Sequence, residues 1–245
     1  MSEGEPPVGS IGDEMDPEER GWLSWVSPHY RRCDFPAEGL TPEQEVVVFA
    51  DRVWGWQVDV AARLLAADAH ADYAVLSIVT SYFEMIGKHL EGFEEPVGES
   101  KAHFLVGFRD VFSERPPEET TRIGERLYEA VRCGLYHDAI TGAGIAVSGR
   151  DDPRVLAELP DPDGGVELML SPGGILDRVR LHFASYVGEL LAEPESDKRE
   201  RFLRRFHAVH GAPGSAPKLP HDGRQRVIRD DTRSARSSEK RTSER

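Results

Sequence analysis

Cysteine is scarce in this chain. Two residues, Cys33 and Cys133, are too few among 245 for a disulfide framework or a thiolate metal site, and the pattern suits a reducing cytoplasm. Long apolar runs are missing as well. The most apolar stretch, YAVLSIVTSYFEMIG, is shorter than a bilayer span and is interrupted by Glu84, which argues against a membrane helix. The opening segment, MSEGEPPVGSIGDEMDPEER, has neither the basic start nor the apolar run of a secretory signal. Acidic and rich in Pro and Gly, residues 1–20 are expected to form a disordered lead-in to a protein that is not exported. No Gly-rich phosphate loop, HExxH element or GxSxG elbow is present.

What is present suffices for one substantial core. Hydrophobic residues make up 39% of the chain and the mean hydropathy is -0.48, which points to a single domain over residues 21–210. Charge is divided unevenly. From Lys198 to Arg245 there are 14 Lys/Arg against 6 Asp/Glu, leaving 16 against 38 in everything before, within a net charge of -14. A basic tail is thus joined to an acidic body. The tail suits phosphate contacts and the body repels nucleic acid, so charge alone does not favour a nucleic-acid binder. On composition, residues 211–245 read as a solvated, disordered extension.

Helical signals dominate between the ends. Thr41-Pro42-Glu43-Gln44 carries the elements of a capping box with proline at the first helical position, opening a helix whose apolar face includes Val47, Val48, Trp54, Val58, Ala61 and Leu65. The next helix is expected from about Asp72 to Leu90, stopped by Gly92; a third covers SKAHFLVGFRDVF, and a fourth starts near Glu118. GAGIAVSG and GVELMLSPGG read as two short strands, a hairpin at about residues 144–171. Two more helices, ILDRVRLHFASYVGELLA and DKRERFLRRFHAVHG, follow. The expected fold class is all-α: a helical bundle with a small inserted β-hairpin and disordered termini.

Polar residues on an apolar helix need a reason. Along SIVTSYFEMIGK, the residues Ser77, Thr80, Ser81, Glu84 and Lys88 share one stripe while Val75, Val79, Tyr82, Phe83 and Ile86 cover the rest. Two readings stand side by side. Either Glu84 and Lys88 make an i,i+4 surface pair worth a few tenths of a kcal/mol, or the stripe lines a polar cleft in which Glu84 needs a cation.

In AVRCGLYHDAI, Arg132 and His137 lie five apart, about 140° out of line on an ideal α-helix. Gly134 between them, with the Gly-rich ITGAGIA beyond, supplies a means of ending or distorting the helix so that the two side chains converge. Cleavage of a phosphodiester through an adjacent 2′-hydroxyl needs a group that exchanges protons near neutrality and a fixed cation on the phosphoryl oxygens, the chemistry of histidine and arginine. No metal or cofactor is called for. As a bare pattern the spacing is weak, because Arg205 and His210 match it inside a basic helix that reads as a solvated face. An ordinary helix C-terminus, where cationic side chains meet exposed carbonyls, accounts for Arg132 and His137 equally well.

The combination of SYFEMIG on one helix with RLYEAVRCGLYHD some fifty residues later resembles the HEPN superfamily (higher eukaryotes and prokaryotes nucleotide-binding), over roughly residues 41–192. That resemblance implies a bundle of four or five helices, usually homodimeric, many of whose members are metal-independent endoribonucleases acting as toxins or in defence against phage. It implies His137 as general acid and base, Arg132 as the cation on the phosphate, and Glu84 as the residue orienting one of them. Asp138 and Tyr136 follow as supporting candidates. Cys133 stands where the family often has a polar side chain, and Ala139 where some toxins carry a tyrosine modified by a neutralising enzyme. RNA as substrate, a homodimer partner and a cognate inhibitor or defence-system partner are the implied associations, with no membrane.

Other members are silent and serve as dimerisation or ligand-sensing modules, so a non-catalytic helical module that binds a partner or a nucleotide is the alternative. Trp54 and Trp56 fall on different helix faces, one for the core and one for a packing or dimer contact. His207 and His210 lack acidic or cysteine ligands at metal-binding spacing.

Overall fold

The structure, a computed structural model, describes residues 25–94, 99–149, 152, 154–160 and 164–211. The expected lead-in and nearly all of the expected tail therefore lie outside the described residues. Trp25 pairs with Arg31 across a short bend, and a 3-10 turn at Arg32–Asp34 leads into the bundle. The helix α1 (Pro42–Val53) begins on a complete capping box: Thr41 Oγ1 accepts from the Gln44 N–H at 3.3 Å and Gln44 Oε1 accepts from the Thr41 N–H at 2.8 Å. A π-helical turn (Trp54–Val58) joins α1 to α2 (Asp59–Ala67). Across that turn Trp54 meets Phe183 edge to face while Trp56 stays 53% exposed.

Helix α3 (Asp72–Glu91) is the central element, packed by α2, by α4 (Ser100–Val111) and by the two last helices, α7 (Pro172–Ala192) and α8 (Asp197–His210). Val75, Leu76, Val79, Tyr82, Phe83 and Ile86 are almost completely buried on it. Each such side chain contributes roughly 1.5–3 kcal/mol over an exposed one. The helix stops at Gly92, whose φ of 65° is the left-handed cap that glycine adopts without strain.

The crossing of α3 with α4 is set by two glycines. A Cβ at Gly87 would lie 1.9 Å from the carbonyl oxygen of His103, and one at Gly107 would lie 2.0 Å from that of Phe83. The backbones touch there, and no other residue fits either position. Phe83 then packs edge to face on Phe104 and Phe108. A second aromatic group, Phe49, Phe183 and Phe202, ties α1 to α7 and α8.

Helix α5 (Pro117–Leu127) continues through a π-helical segment (Tyr128–Cys133) into the short α6 (Gly134–His137). Three strands follow, β1 (Ile145–Val147), β2 (Leu156–Pro160) and β3 (Val166–Leu170). Here the expected hairpin is corrected. GAGIAVSG and GVELMLSPGG do pair, but in parallel as β1 and β3; the segment between them supplies β2, which makes the antiparallel hairpin with β3. A parallel pair needs a long crossover, and the loop read as a simple acidic connection provides it together with a strand of its own. Arg126 donates to the Gly144 and Val166 carbonyls and Arg115 to that of Leu156, so arginines from the α5 region hold the sheet against the bundle.

The last helix also departs from expectation. Arg199 on α8 is 2% exposed and donates to Glu43 at 2.6 Å; the half-buried Arg205 donates to the Phe93 carbonyl; His210 lies 2.8 Å from Arg52. The helix that composition marks as a solvated basic face thus turns part of that charge inward, where a carboxylate and carbonyl oxygens meet it. Among the described residues, no helix is long and apolar enough to cross a membrane.

Candidate active site

Glu84 sits near the middle of α3, half-buried, and three groups converge on its carboxylate. Lys88 Nζ, one turn on, is 2.6 Å from Oε1; Ser100 Oγ, at the first turn of α4, donates to Oε2 at 2.6 Å; Arg132 Nη2, from the π-helical segment, reaches Oε2 at 3.2 Å. Burial pushes this carboxyl up. The hydrogen bonds from Lys88 and Ser100 and the charges of Lys88 and Arg132 outweigh that and hold it below the usual carboxylate range. Glu84 thus makes the i,i+4 pair with Lys88, though half-buried and not at the surface, and also meets the second cation that the other reading asks for, from a distant element. The rest of the stripe forms no cleft lining, since Thr80 is buried and bonds the Leu76 carbonyl while Ser81 bonds that of Ile78.

Arg132 is held from two sides. Beyond Glu84, its guanidinium carbon lies 5.1 Å from the centre of the Tyr136 ring, a cation-π contact. The Tyr136 ring in turn meets that of His137 edge to face, with centres 5.1 Å apart. The order in space is thus Glu84, Arg132, Tyr136, His137. No hydrogen bond joins His137 to Arg132 or to Glu84; His137 and Asp138 are exposed, and Cys133 is a half-buried free thiol. Nη2 is the only Arg132 side-chain atom hydrogen-bonded among the described residues, so the other N–H donors of its fork stay open.

The local backbone explains the arrangement. In the π-helical segment the turn is one residue wider than in an α-helix, so residues five apart come closer to one face. After His137 the chain doubles back: Ala139 takes a φ of 58°, and the Gly142 N–H donates to the Ala130 carbonyl at 2.6 Å. Gly134 makes room for this return, since a Cβ there would stand 2.5 Å from the Ile140 carbonyl oxygen. The result is a tight bend that carries His137, with Tyr136 73% and Ile140 61% exposed beside it.

A second polar constellation escaped the sequence reading. Tyr82 Oη is 2.7 Å from His182 Nδ1, and His182 Nε2 is 2.8 Å from Asp110 Oδ2, linking α3, α7 and α4. Burial raises the Tyr82 phenol well above its usual value, while the hydrogen bond from His182 lowers the Asp110 carboxyl. The three lie 28 and 72 residues apart in the chain, so no local pattern announces them. His207 meets Glu45 at 2.9 Å, and no group of three or more His, Cys, Asp or Glu side chains among the described residues is placed to hold a metal ion.

Comparison with protein families, with curated proteins and with solved structures gives no match for this chain.

Proposed function

We propose that the chain is a metal-independent endoribonuclease of HEPN type, working in a toxin or anti-phage setting as a cytoplasmic homodimer. The observation that carries the reading is the Arg132 guanidinium, clamped by Glu84 and Tyr136 with N–H donors to spare, on the same tight bend as the exposed imidazole of His137. An arginine fixed in this way presents charge and directed donors to phosphoryl oxygens without having to be ordered on binding. His137 takes the proton from a ribose 2′-hydroxyl as its oxygen attacks phosphorus, and a proton returns to the departing 5′-oxygen. The products are a 2′,3′-cyclic phosphate and a 5′-hydroxyl end. Glu84 acts through Arg132 as a positioning residue; Tyr136, Asp138 and Cys133 border the site.

The alternative is a non-catalytic module of the same kind, binding a partner protein or a nucleotide. Exposure of Tyr136 and Ile140 at the bend favours it, because two large apolar groups beside each other suit a protein contact. Purified protein incubated with mixed RNAs in the presence of a chelator separates the two. The nuclease reading expects cleavage lost in both His137→Ala and Arg132→Ala. The module reading expects no cleavage by the wild type and an association sensitive to Tyr136→Ala.

A further inference from the structure

An open cleft of about 470 Å³ lies between α4 and the first half of α8, lined by Leu90, Val106, Arg109, Asp110, Lys198 and Arg201. It shares no residue with the Glu84–Arg132 site. Three cations and one carboxylate meet there, in a chain whose net charge is -14. Most of these charges have partners: Asp110 holds His182, Lys198 is paired with Glu189, and Arg109 Nε donates to the Leu105 carbonyl. Arg201 differs. Its side chain makes no hydrogen bond or ion pair with any described residue.

An arginine side chain with no carboxylate, carbonyl or hydroxyl to satisfy its N–H donors, standing in the lining of an open cleft with Arg109 and Lys198 alongside, fits a ligand made of acceptors that carries negative charge.

We propose that this cleft binds the phosphate group of a small phosphorylated molecule, with Arg201 as its principal contact and Arg109 and Lys198 completing the cationic wall. Arginine matches phosphate with parallel N–H donors in a way that a single carboxylate oxygen does not exploit. An extended polyanion is disfavoured, because Asp110 and Glu189 flank the cations and the body around them is acidic.

Calorimetric titration of inorganic phosphate and of pyrophosphate into the full chain, at fixed ionic strength with acetate as the comparison anion, tests this. Saturable binding is expected for both phosphates, tighter for pyrophosphate, and none for acetate. Arg201→Gln should weaken it about tenfold or more, Arg109→Gln less, and the exposed Arg180→Gln not at all, with circular dichroism reporting the fold of each variant. Arg132→Ala, which removes the phosphate-binding cation of the proposed nuclease centre, should bind as wild type does, which separates the two sites. Failure of both phosphates to saturate by about 20 mM, or equal affinity in Arg201→Gln, overturns the proposal. So does binding of an RNA oligomer that depends on Arg201 when neither phosphate competes.

Discussion

Arg132 donates from Nη2 to Oε2 of Glu84 over 3.2 Å, joining two helical segments that stand 48 residues apart in the chain. Because Lys88 and Ser100 meet the same carboxylate, Glu84 is the one anion facing two cations, and without it nothing offsets their mutual repulsion. Glu84→Gln keeps the shape and removes the charge. Between the surface and the buried limits for an ion pair, the expected loss is about 1–2 kcal/mol at pH 7, read from urea midpoints. The sign with pH follows from the lowered carboxyl: its contribution is complete above the ordinary value of 4.5 and disappears as pH falls through the lower folded value. Wild type and variant should therefore converge in acid.

A buried histidine, His89, and a half-buried one, His210, also make the fold less stable in acid. Burial holds His89 down to about 4, and burial with the charge of Arg52 holds His210 down to about 3. Both stay neutral in the fold while the unfolded chain takes up protons below about 6.5, so stability falls as pH drops from neutrality towards 4. The His89 ring stacks on Phe202 and meets Phe49 at a tilt. His89→Phe should flatten that acid slope in a plot of urea midpoint against pH; an unchanged slope would show that His89 does not contribute to it.

Gly87 and Gly188 are both helical glycines with contrary expectations. A Cβ at Gly87 meets the His103 carbonyl oxygen at 1.9 Å, so Gly87→Ala forces α3 and α4 apart and should cost about 3 kcal/mol or prevent folding. Nothing lies within 4 Å of a Cβ at Gly188, and Gly188→Ala should stabilise by about 0.5–1 kcal/mol through helix propensity. Thermal midpoints of the two variants should move in opposite directions.

Ala139, with its φ of 58°, carries the left-handed strain of the bend that follows His137. Relief of about 1 kcal/mol on Ala139→Gly is expected, reduced by the greater freedom of the unfolded chain. If that strain holds His137 in place, the same variant should lower RNA cleavage while raising or maintaining the thermal midpoint.

Local chemistry was legible from the sequence wherever it is settled within a few residues. Thr41 and Gln44 make both bonds of their capping box, Gly92 takes the left-handed stop, and one tryptophan of the Trp54/Trp56 pair, Trp54, packs against the core. Pairing across distance was not legible. β3 takes β1 in parallel and β2 in antiparallel register, a choice that alternation within any one strand does not express. Arg199 and Arg205 belong to a helix of basic composition, and composition has no means of showing that Glu43 and the Phe93 carbonyl await them 156 and 112 residues away. The candidate site divides along the same line. The Gly134 break was readable in the chain, whereas the π-helical widening and the interposed Tyr136 ring depend on packing against α3.

The central claim rests on one imidazole and one guanidinium acting on the same phosphodiester. Single-turnover cleavage of a labelled RNA in chelator, with product ends analysed, measures it for wild type, His137→Ala, Arg132→Ala and Arg132→Lys. The account predicts 2′,3′-cyclic phosphate ends from the wild type, a loss of roughly 10²- to 10⁴-fold for His137→Ala, a comparable loss for Arg132→Ala, and partial recovery with Arg132→Lys. Cleavage at the wild-type rate in His137→Ala, or product ends without the cyclic phosphate, would contradict it.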